Sequence, residues 1–277
     1  MLRGKRRRGC GFGCFTLIFC VVIAFCFYDS NTTLDTETYD LHFAGLPRDF
    51  DGYRIAVVSD VHAKEFGADN ARLIAAVANA APDMIAVTGD LIDGPDQLGI
   101  VLPLVHALSE LAPVYFITGN HEWDSGSVRE LLAALPENGA VVLRNQVVTL
   151  RRGDASIALV GLEDPNGPAD MRKPFQVFED VPQDAFTVTL VHRNTYLPTL
   201  AELGADLVLC GHAHGGIVRL PFTDGLIDQT GFLPTYTNGA YTMGGTTMLV
   251  SRGLGNVYNI PRLFNRPHIP VAVLHTA

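Results

Sequence analysis

The sequence predicts an α/β fold in which two sheets pack face to face and helices cover their outer surfaces. Short runs rich in Val and Ile alternate with segments whose apolar residues recur at helical spacing. Later in the chain, two such runs flank a Gly-Asp turn, which indicates an antiparallel pair. Apolar residues make up 48% of the chain and charged residues 18%, as expected for a folded globular protein.

The first half of the chain shows a strand–helix rhythm that is typical of a parallel sheet. Leu73, Ile74, Val77 and Ala78 illustrate the helical spacing, and Ser127 is expected to cap another helix, with Glu130 at the capping-box position. We expect strands at 54–59, 84–88 and 114–118, and helices at 70–80, 98–111 and 127–135.

The second half supplies further strands and two polar segments without clear periodicity. Residues 164–184 are polar and contain proline, and residues 222–245 are similar, so both are expected to be loops or caps. We expect strands at 141–143, 147–151, 157–161, 187–191, 207–210, 246–251 and 271–275, and a helix at 196–203. No domain boundary is evident inside residues 29–277, and we interpret residues 51–277 as the catalytic domain.

The N-terminal part indicates a membrane anchor. Residues 1–10 are basic, and residues 11–28 form an uncharged run of 18 residues, near the short end of what spans a bilayer. A cleaved signal peptide is the alternative, but no small-residue cleavage site follows the run. Acidic residues follow within 29–50, the expected stalk and entry strand. The positive-inside rule then places residues 1–10 in the cytoplasm and the domain outside the cell membrane.

The charge of the expected domain argues against a nucleic-acid partner. After Tyr28 the chain carries 15 basic and 29 acidic residues, a formal charge of −14. Such a domain would repel a polyanion. The basic N-terminal cluster is better explained by topology, because it stands directly before the apolar run. No obligate protein partner is evident in the sequence.

Polar residues that bind metals follow five of the expected strands. Since ligands of parallel sheets bind at the carboxyl ends of the strands, we expect these side chains to meet at one edge. Singly, each could be an ordinary turn or cap residue, but their recurrence at successive strand ends favours a shared site. They are Asp60, His62, Asp90, Asn120, His192, His212 and His214.

The donor set predicts two divalent metal ions. It comprises four imidazoles, two carboxylates and one amide without a thiolate, which suits Mn²⁺ best and Fe or Zn²⁺ also, rather than Ca²⁺. Seven ligands are too many for one four-coordinate ion. Two ions about 3.5–4 Å apart, bridged by one carboxylate, would accommodate them. Arg193 is a further candidate, for bidentate binding of a phosphate oxygen pair.

These motifs together resemble the calcineurin-like metallophosphoesterases. The matching segments are D-x-H at 60–62, G-D-x-x-D at 89–93, G-N-H-E at 119–122, the strand-end His192, and G-H-x-H at 211–214. The resemblance implies a four-layer α/β/β/α sandwich, here behind a transmembrane anchor. It also implies that Asp60, His62 and His214 hold one ion, that Asn120, His192 and His212 hold the other, and that Asp90 bridges them. By the same resemblance, His121 is a proton donor or charge stabiliser and Asp93 orients it.

The resemblance implies hydrolysis of a phosphomonoester, phosphodiester or pyrophosphate. The C-terminal segments 211–221, 250–256 and 262–269 are similar to the membrane-anchored bacterial branch, which includes enzymes acting on cell-envelope substrates and on a lipid-linked UDP-sugar pyrophosphate. A metal-retaining binding or sensing domain without turnover is the alternative, although such a domain needs neither His121 nor Asp93. A serine ester hydrolase is disfavoured, since the sequence lacks G-x-S-x-G.

Overall fold

A computed structural model describes residues 10–220, 224–228, 231–256 and 260–277. Its helices are α1 (Cys10–Thr32), α2 (Ala71–Asn79), α3 (Leu98–Ser109), α4 (Asn120–Asp124), α5 (Val128–Glu137), α6 (Pro174–Phe178) and α7 (Leu197–Glu202). Its strands are β1 (Asp35–Phe43), β2 (Tyr53–Val58), β3 (Met84–Val87), β4 (Val114–Phe116), β5 (Ala140–Val142), β6 (Gln146–Arg152), β7 (Ala155–Gly161), β8 (Thr187–Arg193), β9 (Leu207–Gly211), β10 (Ile227–Asp228), β11 (Gly231–Phe232), β12 (Gly239–Met243), β13 (Thr246–Val250) and β14 (His268–Thr276).

Two large mixed sheets form the centre of the protein. Within the described residues, the first has the order β1-β14-β2-β3-β4-β5 and the second the order β12-β13-β9-β8-β7-β6. Strands β2 to β5 run parallel to one another, as do β7, β8, β9 and β13. The carboxyl ends of four parallel strands are therefore collected at one edge in each sheet.

Apolar side chains alternate between two cores along each central strand. In β2, Ile55 and Val57 belong to the core between the sheets, whereas Ala56 and Val58 belong to the core beneath α2, α3 and α5. Strand β9 behaves in the same way on the second sheet, whose outer face packs against α7. Burial on both faces explains why these strands read as unbroken apolar runs. The predicted four-layer α/β/β/α arrangement is confirmed.

Three expectations about secondary structure need correction. Strand β5 was grouped with the second series but pairs with β4 in the first sheet. The expected loop 164–184 contains the short helix α6, which starts at a proline, a residue suited to the first helical position. The expected loop 222–245 contains β12, an edge strand antiparallel to β13. Strand β12 is mostly exposed, so no alternation of buried residues marks it. Residues 222–223 and 229–230 of that expectation lie outside the described part.

Helix α1 is joined to the rest of the protein at its last turn. Its segment Gly13–Thr32 is long and apolar enough to cross a membrane. The side chain of Asn31 donates to the carbonyls of Phe27 (2.7 Å) and Arg262 (2.9 Å). It accepts from the backbone N–H of Arg262 and from the amide of Asn256, both at 3.0 Å. Residues 35–43, which follow this helix, form β1 in the first sheet.

Candidate metal centre

The first sheet brings four of the predicted residues to its carboxyl edge. Asp60 and His62 follow β2, Asp90 follows β3, and Asn120 follows β4 as the first residue of α4. The turns that carry them are joined by backbone hydrogen bonds, from the Asp60 N–H to Gly89 and from the His62 N–H to Asp90, both at 3.0 Å. These bonds fix the two loops against each other.

The second sheet supplies the other three residues. His192 lies near the end of β8, and His212 and His214 follow β9. The backbone N–H of His212 donates to both carboxylate oxygens of Asp60, at 3.0 and 3.2 Å. All seven predicted ligands are buried. The site therefore lies where the edges of the two sheets meet.

Five of the seven predicted ligands have left-handed backbone conformations. Such conformations are uncommon outside glycine and persist only where the surrounding structure enforces them, which happens most often at functional sites. The residues are Asp60 (φ 52°), His62 (φ 48°), Asp90 (φ 56°), His212 (φ 68°) and His214 (φ 46°). Their backbone geometry is thus independent support for a functional cluster.

One group of side chains comprises Asp60, His62, Asp90 and His214, whose ligand atoms all lie within 4.8 Å of one another. The Nε2 atoms of His62 and His214 are 3.3 Å apart. His214 Nε2 is 3.4 Å from Asp60 Oδ1, and His62 Nε2 is 3.9 Å from Asp90 Oδ2. These residues could hold one metal ion.

A second group comprises Asp90, His192 and His212, and Asn120 adjoins it. His192 Nε2 lies 3.2 Å from Asp90 Oδ2, 3.1 Å from Asn120 Oδ1 and 3.0 Å from His212 Nδ1. The other nitrogen of His192 donates to the carbonyl of Thr88 at 2.8 Å. In a neutral ring that bond leaves Nε2 with a lone pair directed at the group, as a metal ligand requires.

The second group fits a cation because its atoms are electron-pair donors that converge. The lone pairs of a carboxylate oxygen, an amide oxygen and a second imidazole nitrogen, each 3.0–3.2 Å from His192 Nε2, repel that of a neutral His192 unless a positive charge lies among them. Asp90 Oδ1 accepts from the His121 N–H at 2.9 Å, whereas Oδ2 makes no hydrogen bond to any described residue. Asp90 is the one residue common to both groups among the described residues.

The pKa shifts reflect the same need for positive charge. Burial would lower the pKa of His192, but the charge of Asp90, the contact with its carboxylate and the charge of Asp60 together outweigh burial and raise this pKa to about 10. Burial would raise the pKa of Asp90, but His192 and other neighbouring histidines lower it. Burial and the charge on His192 lower the pKa of His212 to about 2. A metal ion would replace the proton on His192 as the positive partner of Asp90.

Asp93 contacts two histidines rather than one. Its Oδ1 lies 2.7 Å from Nδ1 of His121 and 2.7 Å from Nδ1 of His62. Since a carboxylate only accepts, each ring donates through Nδ1 and presents Nε2 to the cluster. These hydrogen bonds outweigh burial and lower the pKa of Asp93. Asp93 is therefore placed to orient a predicted metal ligand as well as His121.

Glu122 organises the turns behind the cluster, a role that the sequence analysis did not assign. Its carboxylate accepts from the backbone N–H groups of Asp90 (2.8 Å), Leu91 (2.6 Å) and Gly119 (2.6 Å). At Gly119 a Cβ atom would lie 2.1 Å from Asp90 Oδ1, so only glycine fits there. Gly119 and Glu122 of the G-N-H-E motif thus position Asp90.

A cavity of about 720 Å³ opens beside the cluster. His62, Asp93 and His121 line one part of it, and Lys64 and Asn256 line another. Sequence reasoning assigned a role to neither: Lys64 stands outside the recognised motifs, and Asn256 ends segment 250–256, which was noted only as a similarity. Arg193, a candidate for phosphate binding, instead forms a bidentate pair with the buried carboxylate of Asp164, at 2.7 and 2.9 Å.

Comparison with known proteins supports this arrangement. The sequence model of the calcineurin-like phosphoesterase family matches residues 53–216, which include the seven predicted ligands as well as Asp93 and His121. This chain belongs to that family. A putative 5′-nucleotidase from Staphylococcus aureus shares the fold of this calcineurin-like phosphoesterase, with a TM-score of 0.51 and 16% identity over 79% of this chain and 54% of that chain.

Some relatives are similar to this chain over a longer stretch than the one that the family model matches. An uncharacterised metallophosphoesterase of Bacillus subtilis, YkuE, is 30% identical and covers 87% of this chain and 85% of its own. The phosphodiesterase YaeI of Escherichia coli is 28% identical over 70% of each chain. A bovine transmembrane protein with a metallophosphoesterase domain is 28% identical over 84% of this chain and 55% of its own.

The position of Asp90 predicts the effect of Asp90→Asn on metal content. The substitution preserves volume but removes a charge shared by both groups, so both ions should be lost or strongly weakened. Elemental analysis of the purified protein measures this directly. Asp96→Asn is the matched control, since Asp96 is exposed and belongs to neither group. Two retained ions per chain in Asp90→Asn would contradict the bridging role.

Proposed function

We propose that this calcineurin-like phosphoesterase hydrolyses a phosphate ester with two divalent metal ions. Mn²⁺ is the first choice for these ions, and Fe or Zn²⁺ the second. Asp60, His62 and His214 would hold the first ion, and Asn120, His192 and His212 the second. The observation that carries the proposal is the Asp90 carboxylate, whose Oδ2 faces histidines from both groups. The phosphodiesterase activity named for the relative YaeI agrees with this reaction class.

The chemistry divides between the ions and the protein. When bound, the ions would neutralise charge on the phosphoryl oxygens and lower the pKa of a water molecule. The protein supplies a proton donor, His121, whose ring is nearly perpendicular to that of His62 with centroids 4.7 Å apart. Burial lowers the pKa of His121, but the hydrogen bond to Asp93 and the charges of Asp90 and Asp93 together outweigh burial and raise the pKa. Asp93 thus favours the protonated ring, which can donate to the leaving oxygen through Nε2.

A role as a metal-retaining binding domain without turnover gains no specific support. Such a domain has no use for a histidine that is held beside the ions and is not one of their ligands. His121 lines the cavity and is oriented through Nδ1 by Asp93, an arrangement that serves proton transfer.

The substrate is proposed to be a phosphomonoester, phosphodiester or pyrophosphate ester on a cell-envelope or lipid-linked molecule. Helix α1 would anchor the chain in the cell membrane, with the catalytic domain outside. Asn31, in the last turn of α1, accepts a hydrogen bond from Asn256, which lines the cavity. One side chain therefore separates the end of the proposed span from the site, so the cavity would lie close to the membrane surface and to lipid head groups.

His121→Ala tests the proposed proton donor. We expect kcat for an alkyl phosphate ester to fall on the order of 10²–10⁴-fold, because the leaving alkoxide would lose its proton source. The loss should be smaller for a nitrophenyl ester, whose leaving group needs no proton. Asp93→Asn should lower kcat in the same direction but less, and it should also weaken metal binding because Asp93 orients His62.

Metal content must be measured beside kcat for His121→Ala. The variant should retain both ions, since His121 is not proposed as a ligand. Turnover of an alkyl ester at the wild-type rate would remove the proton-donor role, and a stoichiometric loss of metal would make His121 a ligand instead.

The proposed topology predicts protease sensitivity from outside the cell. Protease added to intact spheroplasts should digest the domain, because residues 29–277 would be extracytoplasmic. A cytoplasmic marker protein must stay intact in the same sample. Protection of the domain until the cells are lysed would reverse the proposed orientation.

A further inference from the structure

The cavity beside the metal cluster is larger than a single phosphoryl group requires. Its volume of about 720 Å³ lies within the range of sites that bind complete small-molecule ligands. The wall formed by Lys64 and Asn256 extends it beyond the proposed metal ligands. A substrate in this cavity would therefore contact more of the protein than the ions and His121.

Lys64 is the only lysine or arginine among the described residues that line the cavity. Its Nζ donates to Asn256 Oδ1 at 3.2 Å and lies 5.2 Å from the ring centroid of Phe66. An ammonium group has three N–H donors, so the contact with Asn256 leaves donors for a group in the cavity. The side chain is partly buried, and its charge is consequently less screened than that of a surface lysine.

Besides Lys64, the cavity lining includes carboxylates that disfavour an anionic part of a substrate. Asp93 and Asp124 also line the cavity and would repel an anionic part of a substrate. The phosphoryl group that reacts would be neutralised by the ions, but a further anionic group of the same molecule would meet these two carboxylates. Lys64 supplies the opposite charge that such a group needs.

We propose that Lys64 binds a second phosphoryl group of the substrate, next to the one that reacts at the metal centre. This inference rests on the proposed function and narrows its substrate class to esters with two linked phosphoryl groups. A phosphate oxygen and an ammonium group form a charge-assisted hydrogen bond, which is stronger than one between neutral groups.

Asn256 and Asn31 are positioning residues for this contact. Asn256 uses its oxygen to accept from Lys64 and its amide nitrogen to donate to Asn31, so it bridges the cavity wall and the end of α1. The amide of Asn31 is itself fixed by its three other hydrogen bonds, to Phe27 and Arg262. The position of the lysine thus depends on the last turn of the proposed anchor.

Binding of two nucleotides that differ by one phosphoryl group tests the proposal. Calorimetry on the full-length, Mn²⁺-loaded protein in detergent would compare AMP with the non-hydrolysable α,β-methylene-ADP. We expect the wild type to bind the diphosphate analogue more tightly, on the order of 10-fold, as one charge-assisted hydrogen bond predicts. Lys64→Met should remove this preference, and Asn256→Ala should reduce it.

Lys173→Met is the matched control, since Lys173 is exposed and lies outside the cavity lining. It should keep the wild-type preference. A wild type without preference, or a folded Lys64→Met with an undiminished preference, would overturn the inference. Hydrolysis of bis(p-nitrophenyl) phosphate, measured on the same samples, separates this failure from failure of the proposed function, because that ester carries a single phosphoryl group.

Discussion

The site depends on one buried carboxylate that stands between two sheets. Asp90 follows β3 of the first sheet, yet its Oδ2 lies 3.2 Å from His192 of the second sheet. Its other oxygen is held by the backbone of His121 at 2.9 Å. A buried carboxylate is costly without a positive partner, and His192 and other neighbouring histidines supply that partner in this structure. A pair of cations at this position would account for the ring of imidazoles that surrounds it.

The remainder of the fold keeps this carboxylate in place. Glu122 accepts hydrogen bonds from the backbone N–H groups of Asp90 and Gly119. Gly119 lies so close to the Asp90 carboxylate that a side chain there would clash with it. The strained left-handed turns at Asp60 and His212 are tied to each other, since the backbone N–H of His212 donates to the Asp60 carboxylate. The inter-sheet core behind these turns fixes the distance between the two edges. Backbone strain at the site is thus balanced by packing elsewhere.

Much of this arrangement could be predicted from sequence because the information is local. Strands buried on both faces give apolar runs, and the residue after such a run lies at a known edge of the sheet. This reasoning located Asp60, Asp90 and His192 at one place. The second contact of Asp93, with His62, could not be predicted, because it depends on how two loops face each other across about 3 Å. The hydrogen bond between Lys64 and Asn256 could not be predicted for the same reason, since the two residues are 192 positions apart in sequence and meet only in the fold.

The sequence prediction was weakest at one edge strand of each sheet, β5 of the first and β12 of the second. Strand β12 is exposed and β5 is short, so neither has the apolar period that identifies an interior strand. The ion pair between Arg193 and Asp164 was also not predicted, because Asp164 lies in a segment that the sequence identifies only as polar. Pairing between distant polar groups is specified by the folded structure as a whole and leaves no pattern in the chain.

Asp90 is proposed to lie between two metal ions. Anomalous diffraction from a crystal of the Mn²⁺-loaded protein measures it most directly. We expect two peaks about 3.5–4 Å apart, one on each side of the Asp90 carboxylate. A single peak, or two peaks of which only one adjoins Asp90, would contradict it.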